Sequence, residues 1–428
     1  MAARSLTERE HLLAELKEEV GRCVNCGFCE SVCPTLPASG FRPIIGARGR
    51  VDLAKFLLEQ VEQRGRSDLG ISEAFYSCLD CYACIQVCPA GVNAGKVSEI
   101  GRRIVTSGGI TMNNQERPVA KMIVNATKKF GNPLGVRKQC AGWADGLEFS
   151  KNSDTLLYTA NMYQLMAYNA SLTRLVGMLD KRMSNFIASF ASNHPSTLRL
   201  TKFFVDRELQ DKMNVYLRDI YTMLKSSGLR FDYLGESEPY PGTLIYDFGY
   251  VKDFAEYAAT VVDVFKERGV KRIITIDPHT YDLLKNKYPK FVRGFDFEVT
   301  YYLDYLEEWL FETARDEITL HEPCYFTLRE DTYSELPRLL TKVARVEYPV
   351  RSGKRTMCCG GPDEALFGDL CLKISEQRLS QLKAVGKKKT ITACPICYAN
   401  LRNDDDVEDI SGFLASHMRE PLGLSGHH

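Results

Sequence analysis

Apolar positions recur along the chain with two different periods, and the change falls near residue 150. Near the start, Leu12, Leu13, Leu16 and Val20 lie along one side of a helix that Thr7 and Glu10 can open as a capping box. GARGRVDLAKFLLEQV at 46–61 keeps the helical period, with Leu53, Phe56, Leu57 and Val61 on one side. Further on, VVDVFKERGVKRIITIDPHTYDLL (261–284) predicts a helix, a stop at Gly269, a β-branched strand and a turn at Asp277-Pro278-His279-Thr280-Tyr281. EQRLSQLKAVGKKKTITACPICYANL (376–401) has the same order. Its stop is Gly386 and its turn is Cys394-Pro395-Ile396-Cys397-Tyr398.

This correspondence extends to a tandem repeat. Gly269 precedes Asp277 by eight residues, and Gly386 precedes Cys394 by eight. MCCGG (357–361) faces PYPGT (239–243). TLHEPCY (319–325) lines up loosely with LYTANMY (157–163), which sets Asn161 opposite Cys324. Alternating strands and helices predict a small parallel sheet in each copy, with the special residues where strands end and helices begin. The spacing also reveals an insertion. From Asn161 to Tyr240 there are 79 residues, against 34 from Cys324 to Cys358. The surplus, roughly 180–228, reads as helices packed on the domain or as a docking face for another subunit; a monotopic membrane contact or a quinone pocket is the alternative.

Composition narrows the function. The 428 residues carry 55 Lys+Arg and 55 Asp+Glu, so the basic surplus of a nucleic-acid binder is missing. No apolar run reaches the ~18 residues needed to cross a bilayer. The N-terminus shows no signal-peptide core, so the expectation is a cytoplasmic protein, with any membrane association running through a partner subunit.

The fifteen cysteines change the picture most. CVNCGFCESVCP (23–34) and CLDCYACIQVCP (78–89) both read C-x2-C-x2-C-x3-C-P. In that motif three thiolates close on one cubane while the fourth ligates the other cluster. The reading assigns one 4Fe–4S cluster to Cys23, Cys26, Cys29 and Cys88, and the second to Cys78, Cys81, Cys84 and Cys33. Zinc also takes four thiolates, but explains neither the third cysteine nor the proline in each motif. Arg48 and Arg50 are candidates for contacting cluster sulfur or a partner, against a solvated or ion-paired surface role. In the second repeat, Cys324, Cys358, Cys359, Cys394 and Cys397 come from three loops. Five thiolates exceed the need of one cubane or one zinc ion, so a cluster with more sites, or an opened one, fits better.

Together, the doubled ferredoxin motif and HEPC…CCGG…CPxCY resemble the D-type heterodisulfide reductase iron–sulfur proteins with cysteine-rich CCG domains. They are similar as well to the iron–sulfur subunits of anaerobic glycerol-3-phosphate dehydrogenase and of glycolate and lactate oxidases. The resemblance implies a non-cubane 4Fe–4S cluster on Cys324, Cys358, Cys359, Cys394 and Cys397. It also implies an α+β architecture: a helical ferredoxin-like domain with two clusters (1–150), a degenerate CCG domain without one (151–312), and a CCG domain holding the non-cubane centre (313–428). The chain departs from the two-cluster reductases at Asn161, Tyr240, Pro241, Asp277 and Thr280, which replace the first set of thiolates.

Several smaller features fit the same frame. CPIC alone suits a thioredoxin-type dithiol, which the neighbouring Cys358–Cys359 pair argues against. His321, just before the EPC loop, is a candidate to hydrogen-bond cluster sulfur or protonate a leaving thiolate. His279 reads as a structural histidine, and Cys140 and Cys371 as buried thiols. The terminal His427-His428 pair reads as a natural end or a tag remnant. The leading expectation is an electron-transfer oxidoreductase subunit in which two cubanes feed a non-cubane centre doing thiol/disulfide chemistry. The alternatives are a relay from a flavoprotein dehydrogenase to a quinone-reactive or cytochrome subunit, and a redox-responsive scaffold. Any flavin belongs to a partner, because no nucleotide-binding loop is present.

Overall fold

The computed structural model describes residues 7–111, 116–177, 181–329, 335–402 and 406–419. The terminal His427-His428 pair and the first residue of the 180–228 insertion lie outside the described residues.

Helices dominate the first 150 residues. The Thr7–Glu10 capping box forms and opens α1 (Glu8–Gly21), which buries Leu12, Leu16 and Val20. α2 (Ala47–Arg64) packs beside it and ends on Gly65 in the left-handed conformation. Its buried side is Arg50, Val51, Ala54, Leu57, Leu58 and Val61. Phe56, expected on that side, is instead exposed. The buried stripe runs through Ala47, Val51, Ala54 and Leu58, with Leu57 and Val61, so it is rotated from the expected side. α3 (Ala94–Ser107), capped by the Asn93 side chain, crosses both, and α4 (Pro118–Phe130) follows. Gly101 lies against the Phe75 ring, where an added Cβ would come within 2.3 Å.

Two parallel sheets follow. The first is β1 (Thr155–Tyr158), β2 (Arg272–Thr275) and β3 (Glu298–Tyr301), in that spatial order. A single parallel bridge from Leu156 to Asp232 extends it beyond β1. The second sheet contains β4 (Asp316–His321), β5 (Ala344–Glu347), β6 (Lys389–Thr392) and β7 (Val407–Asp409), in the order β5-β4-β6-β7. The orders match strand for strand once the Asp232 bridge is placed opposite β5. Side chains alternate across the first sheet with the strand period. Leu156, Tyr158 and Ile273 face the core shared with the N-terminal helices, whereas Leu157 and Ile274 face the core around the second sheet.

The two turns singled out in the sequence are geometrically alike. Gly269 and Gly386 both take positive φ, +67° and +79°, and so do Gly242 and Gly360, at +88° and +92°. Register gives the same correspondence: β1 sets Tyr158 beside Thr275, while β4 sets His321 beside Thr392. Three residues after Tyr158 comes Asn161, and three after His321 comes Cys324.

The described residues of the 180–228 stretch are mostly helical. After α5 (Met162–Gly177), they comprise α6 (Lys181–Asn193), a 3-10 turn (Pro195–Phe203) and α7 (Arg207–Ser226), which Asp206 caps. α7 is a core element: Leu209, Met213, Tyr216, Leu217, Ile220 and Met223 are all buried. The Tyr216 ring presses on Gly412 so closely that a Cβ there would lie 2.6 Å away.

Candidate iron–sulfur sites

The two ferredoxin motifs fold as tight loops whose left-handed residues turn the chain so that sulfurs face inward. Asn25, Asp80 and Tyr82 adopt positive φ for this, as does Gly27. One hollow is lined by Cys23, Cys26, Cys29 and Cys88 together with Arg48 and Val51. A second is lined by Cys33, Cys78, Cys81 and Cys84 with Arg50 and Tyr82. Each hollow therefore joins three cysteines of one motif to the fourth of the other, the grouping expected from the spacing.

Burial pushes these thiols up: Cys29 and Cys84 to about 12 and Cys78 to about 11. Such thiols release their protons when a metal takes the sulfur, and four sulfurs lining each hollow are a donor set that fits iron. Backbone and side-chain groups already point at the sulfurs. The Val92 amide donates to Cys88 Sγ at 3.2 Å.

Arg50 departs from the surface reading. It is buried, donates through Nη1 to Cys33 Sγ at 3.8 Å, and is held by Ala74 O at 2.7 Å and by Thr35 and Ser77 at 3.1 Å each. A buried cation needs such partners. Arg48 stays half-exposed, 3.6 Å from Asp52, at the rim of the first hollow.

The five C-terminal cysteines meet at the ends of β4 and β6. Cys324 begins a short helix (Cys324–Thr327), and Cys394 stands just before another (Pro395–Leu401) that carries Cys397. Cys358 and Cys359 arrive on the loop after β5, closed by Gly360. Cys324 and Cys358 sulfurs are 3.8 Å apart. Hydrogen bonds from Cys358 and Cys397 hold the Cys359 thiol well below its ordinary range, while Cys358 is pushed up by its bonds with Cys324 and Cys359. Cys394 bonds to Cys397, and burial raises it. The five thus form one connected group, and none of the fifteen cysteines is in a disulfide.

His321 joins them. Its ring nitrogen and the sulfurs of Cys359 and Cys397 lie within 4.8 Å of one another. Arg378 Nε donates to His321 Nδ1 at 3.0 Å, so the ring proton resides on Nε2, which finds no oxygen or nitrogen partner. Burial lowers the imidazole's pKa, keeping it neutral. The arrangement suits an N–H donor to cluster sulfur. Arg378, buried in the helix Glu364–Lys383, gives no sign of this role in the sequence, where it is one polar position of an amphipathic stretch.

The second hollow and the five-cysteine group are neighbours. Cys324 acts electrostatically on Cys81. Between them the Arg329 guanidinium is sandwiched by the Tyr82 and Tyr325 rings, 4.0 Å from each centroid, and donates to Asp80 O at 2.9 Å. His279 extends the stack, its ring 3.7 Å from that of Tyr325 and tilted by 27°. The sequence points to neither tyrosine nor to Arg329, because no spacing rule marks the residues beside a ligand.

Where the first sheet would carry thiolates, other groups stand. Tyr240 is buried, and Pro241 O accepts from the Tyr288 hydroxyl at 2.6 Å. Asp277 caps its helix by accepting from the Thr280 amide at 2.9 Å, and Asn161 Nδ2 donates to Glu238 O at 3.3 Å. Cys140 and Cys371 are buried, and neither lines the two N-terminal hollows.

Comparison with known proteins agrees with this geometry. Residues 19–92 match the family described as a 4Fe-4S dicluster domain, and residues 318–402 match the cysteine-rich domain. The chain is 24% identical over 436 residues to the probable iron-sulfur-binding oxidoreductase FadF of Bacillus subtilis, covering 89% of this chain and 56% of that protein. It therefore spans little more than half of that relative. It is 22% identical over 453 residues to the D-type subunit of the dihydromethanophenazine:CoB--CoM heterodisulfide reductase of Methanosarcina barkeri, covering 98% of each. Over 103 residues it is 35% identical to the probable glycolate oxidase iron-sulfur subunit of Bacillus subtilis, covering 23% of this chain and 22% of that one. With one stretch matching a dicluster ferredoxin domain and another matching the cysteine-rich domain, the chain is similar to iron–sulfur oxidoreductase proteins, the D-type subunit of heterodisulfide reductase among them.

Proposed function

We propose that this protein carries electrons between two cubane 4Fe–4S clusters and a non-cubane cluster at which a thiol or disulfide is reduced or oxidised. Cys23, Cys26, Cys29 and Cys88 would hold the first cubane and Cys33, Cys78, Cys81 and Cys84 the second. Cys324, Cys358, Cys359, Cys394 and Cys397 would hold the third cluster. When bound, these groups supply one-electron storage and, at the last position, a thiol-reactive iron. The protein's own residues set the conditions. Arg50 lays positive charge against the second cubane site, His321 offers its Nε2–H to Cys359, and Arg378 fixes the ring that offers it. Arg329, packed between Tyr82 and Tyr325, keeps water out of the interval between the second and third sites.

The observation that carries this reading is the convergence of five thiols and one neutral histidine from three distant loops, directly beside the second cubane site. The first sheet unit, with no thiol at the matching positions, holds no cluster. Anaerobic purification with iron and sulfide counting tests the proposal: about twelve irons per chain support it, and about four refute it. Cys359→Ser should then remove about four irons and leave the cubane EPR signals intact.

A second reading has its own support in the similarity to a glycolate oxidase iron-sulfur subunit. There the protein relays electrons from a flavoprotein partner to a quinone-reactive subunit. The two separate cleanly: in the relay, low-temperature EPR of the third centre is indifferent to added thiols and disulfides.

A further inference from the structure

α6 is built inside out. Its inner side, facing α4, carries Ala188, Ala191 and Ser192, all buried, and Asn125 of α4 reaches across to the Ser192 carbonyl at 3.0 Å. Its outer side carries Met183, Phe186, Ile187 and Phe190, spaced i, i+3, i+4 and i+7, with exposures of 50%, 72%, 47% and 51%. Small residues within and large apolar residues without are the reverse of the pattern that buries a helix in its own fold. The following 3-10 turn continues the face, with Leu200 and Phe203 exposed as well.

Charge decides what such a face fits. Residues 181–204 contain Lys181, Arg182, Arg199 and Lys202 and no Asp or Glu, within a chain whose formal charge is zero. Lys202 Nζ lies 4.9 Å from the Phe203 ring centroid, and the Arg199 guanidinium 5.6 Å from that of Phe130. Basic heads rising beside apolar rings are what an interfacial element presents, with rings entering the acyl boundary and cations meeting lipid phosphates. No described helix is long and apolar enough to cross a membrane, so the contact would be peripheral.

We propose that the outer face of α6 and the adjoining 3-10 turn docks this protein onto an anionic phospholipid surface. A bilayer is favoured over a protein partner because Arg199 and Lys202 adjoin the exposed Leu200 and Phe203 and the segment 181–204 carries no acidic residue.

The test is cosedimentation of the full, cluster-loaded chain with vesicles, kept anaerobic. Vesicles of phosphatidylcholine and phosphatidylglycerol in equal parts should carry the protein down, and salt should release much of it. The double substitution Phe186→Ser with Phe190→Ser should cut partitioning by roughly tenfold or more. The double substitution Arg199→Glu with Lys202→Glu should cut it on the anionic vesicles only. Unchanged visible absorbance and iron content in both variants establish that the fold is intact. Equal recovery on pure phosphatidylcholine, or undiminished binding by the phenylalanine variant, would overturn the proposal. So would a wild-type dimer in solution that the phenylalanine variant turns into a monomer, which assigns the face to a second copy of the chain.

Discussion

Arg50 shows how one side chain links local packing to electron transfer. It sits on a helix face that otherwise buries Val51, Ala54 and Leu57, and its charge is satisfied by three oxygen partners besides Cys33 sulfur. A donor and a positive charge beside a cluster ligand favour the reduced, more negative state. Arg50→Met should therefore shift the midpoint potential of the cluster proposed at Cys33 downward by on the order of 100 mV, the equivalent of one charge-assisted hydrogen bond. Redox-poised EPR measures it, and an unchanged potential with full iron content would contradict the role. The cysteines proposed as ligands stand out in the sequence because metal chemistry fixes the spacing of such motifs. Arg50, Arg378 and Arg329 are not, since a buried arginine becomes functional only through contacts made by residues far away in the chain.

At the scale of elements, the turn glycines carry the most information. Gly360 has φ +92°, and a Cβ there would lie 2.7 Å from the Cys371 carbonyl oxygen. Gly242, the matching turn of the first unit, has φ +88°, but its nearest neighbour is the Tyr257 ring at 3.1 Å. Backbone cannot yield as a ring can. Gly360→Ala should cost roughly 2–4 kcal/mol and Gly242→Ala less. Iron analysis of Gly360→Ala should show the third centre lost with both cubanes kept. The sequence discloses the order of helix, glycine, strand and turn in both units, because strand and cap chemistry are local. It misplaces Phe56, since which side of a helix is buried depends on how closely its neighbours approach.

Across the whole molecule, buried charge ties the N-terminal helices to the first sheet unit. Arg102 pairs with Asp80 and donates to Asp247 O at 2.8 Å, while the Tyr76 hydroxyl donates to Phe248 O at 2.9 Å. Burial pushes the Asp247 carboxyl up to about 8 from its ordinary 3.8, with Asp80 adding to the shift and Arg329 and Arg102 opposing it. The folded state then holds a proton that the unfolded state has released. Asp247's contribution to stability therefore falls as pH rises from about 4 to about 8 and is level above that. Thermal unfolding of Asp247→Asn should lose part of the wild-type decline between about pH 5 and about pH 8. An identical slope in both proteins would show the carboxylate to be already ionised when folded.

The crossed membership of the two N-terminal hollows has a consequence for how the protein is made and lost. Because Cys88 belongs with the first loop's trio and Cys33 with the second's, the loops are laced through each other rather than standing side by side. On the proposed assignment, neither inorganic core can be inserted while the other loop is still wandering. Oxygen that dismantles one proposed core would also free a strap of its neighbour. Maturation and oxidative decay of this pair are thus expected to be joint events, with half-filled chains scarce in the population.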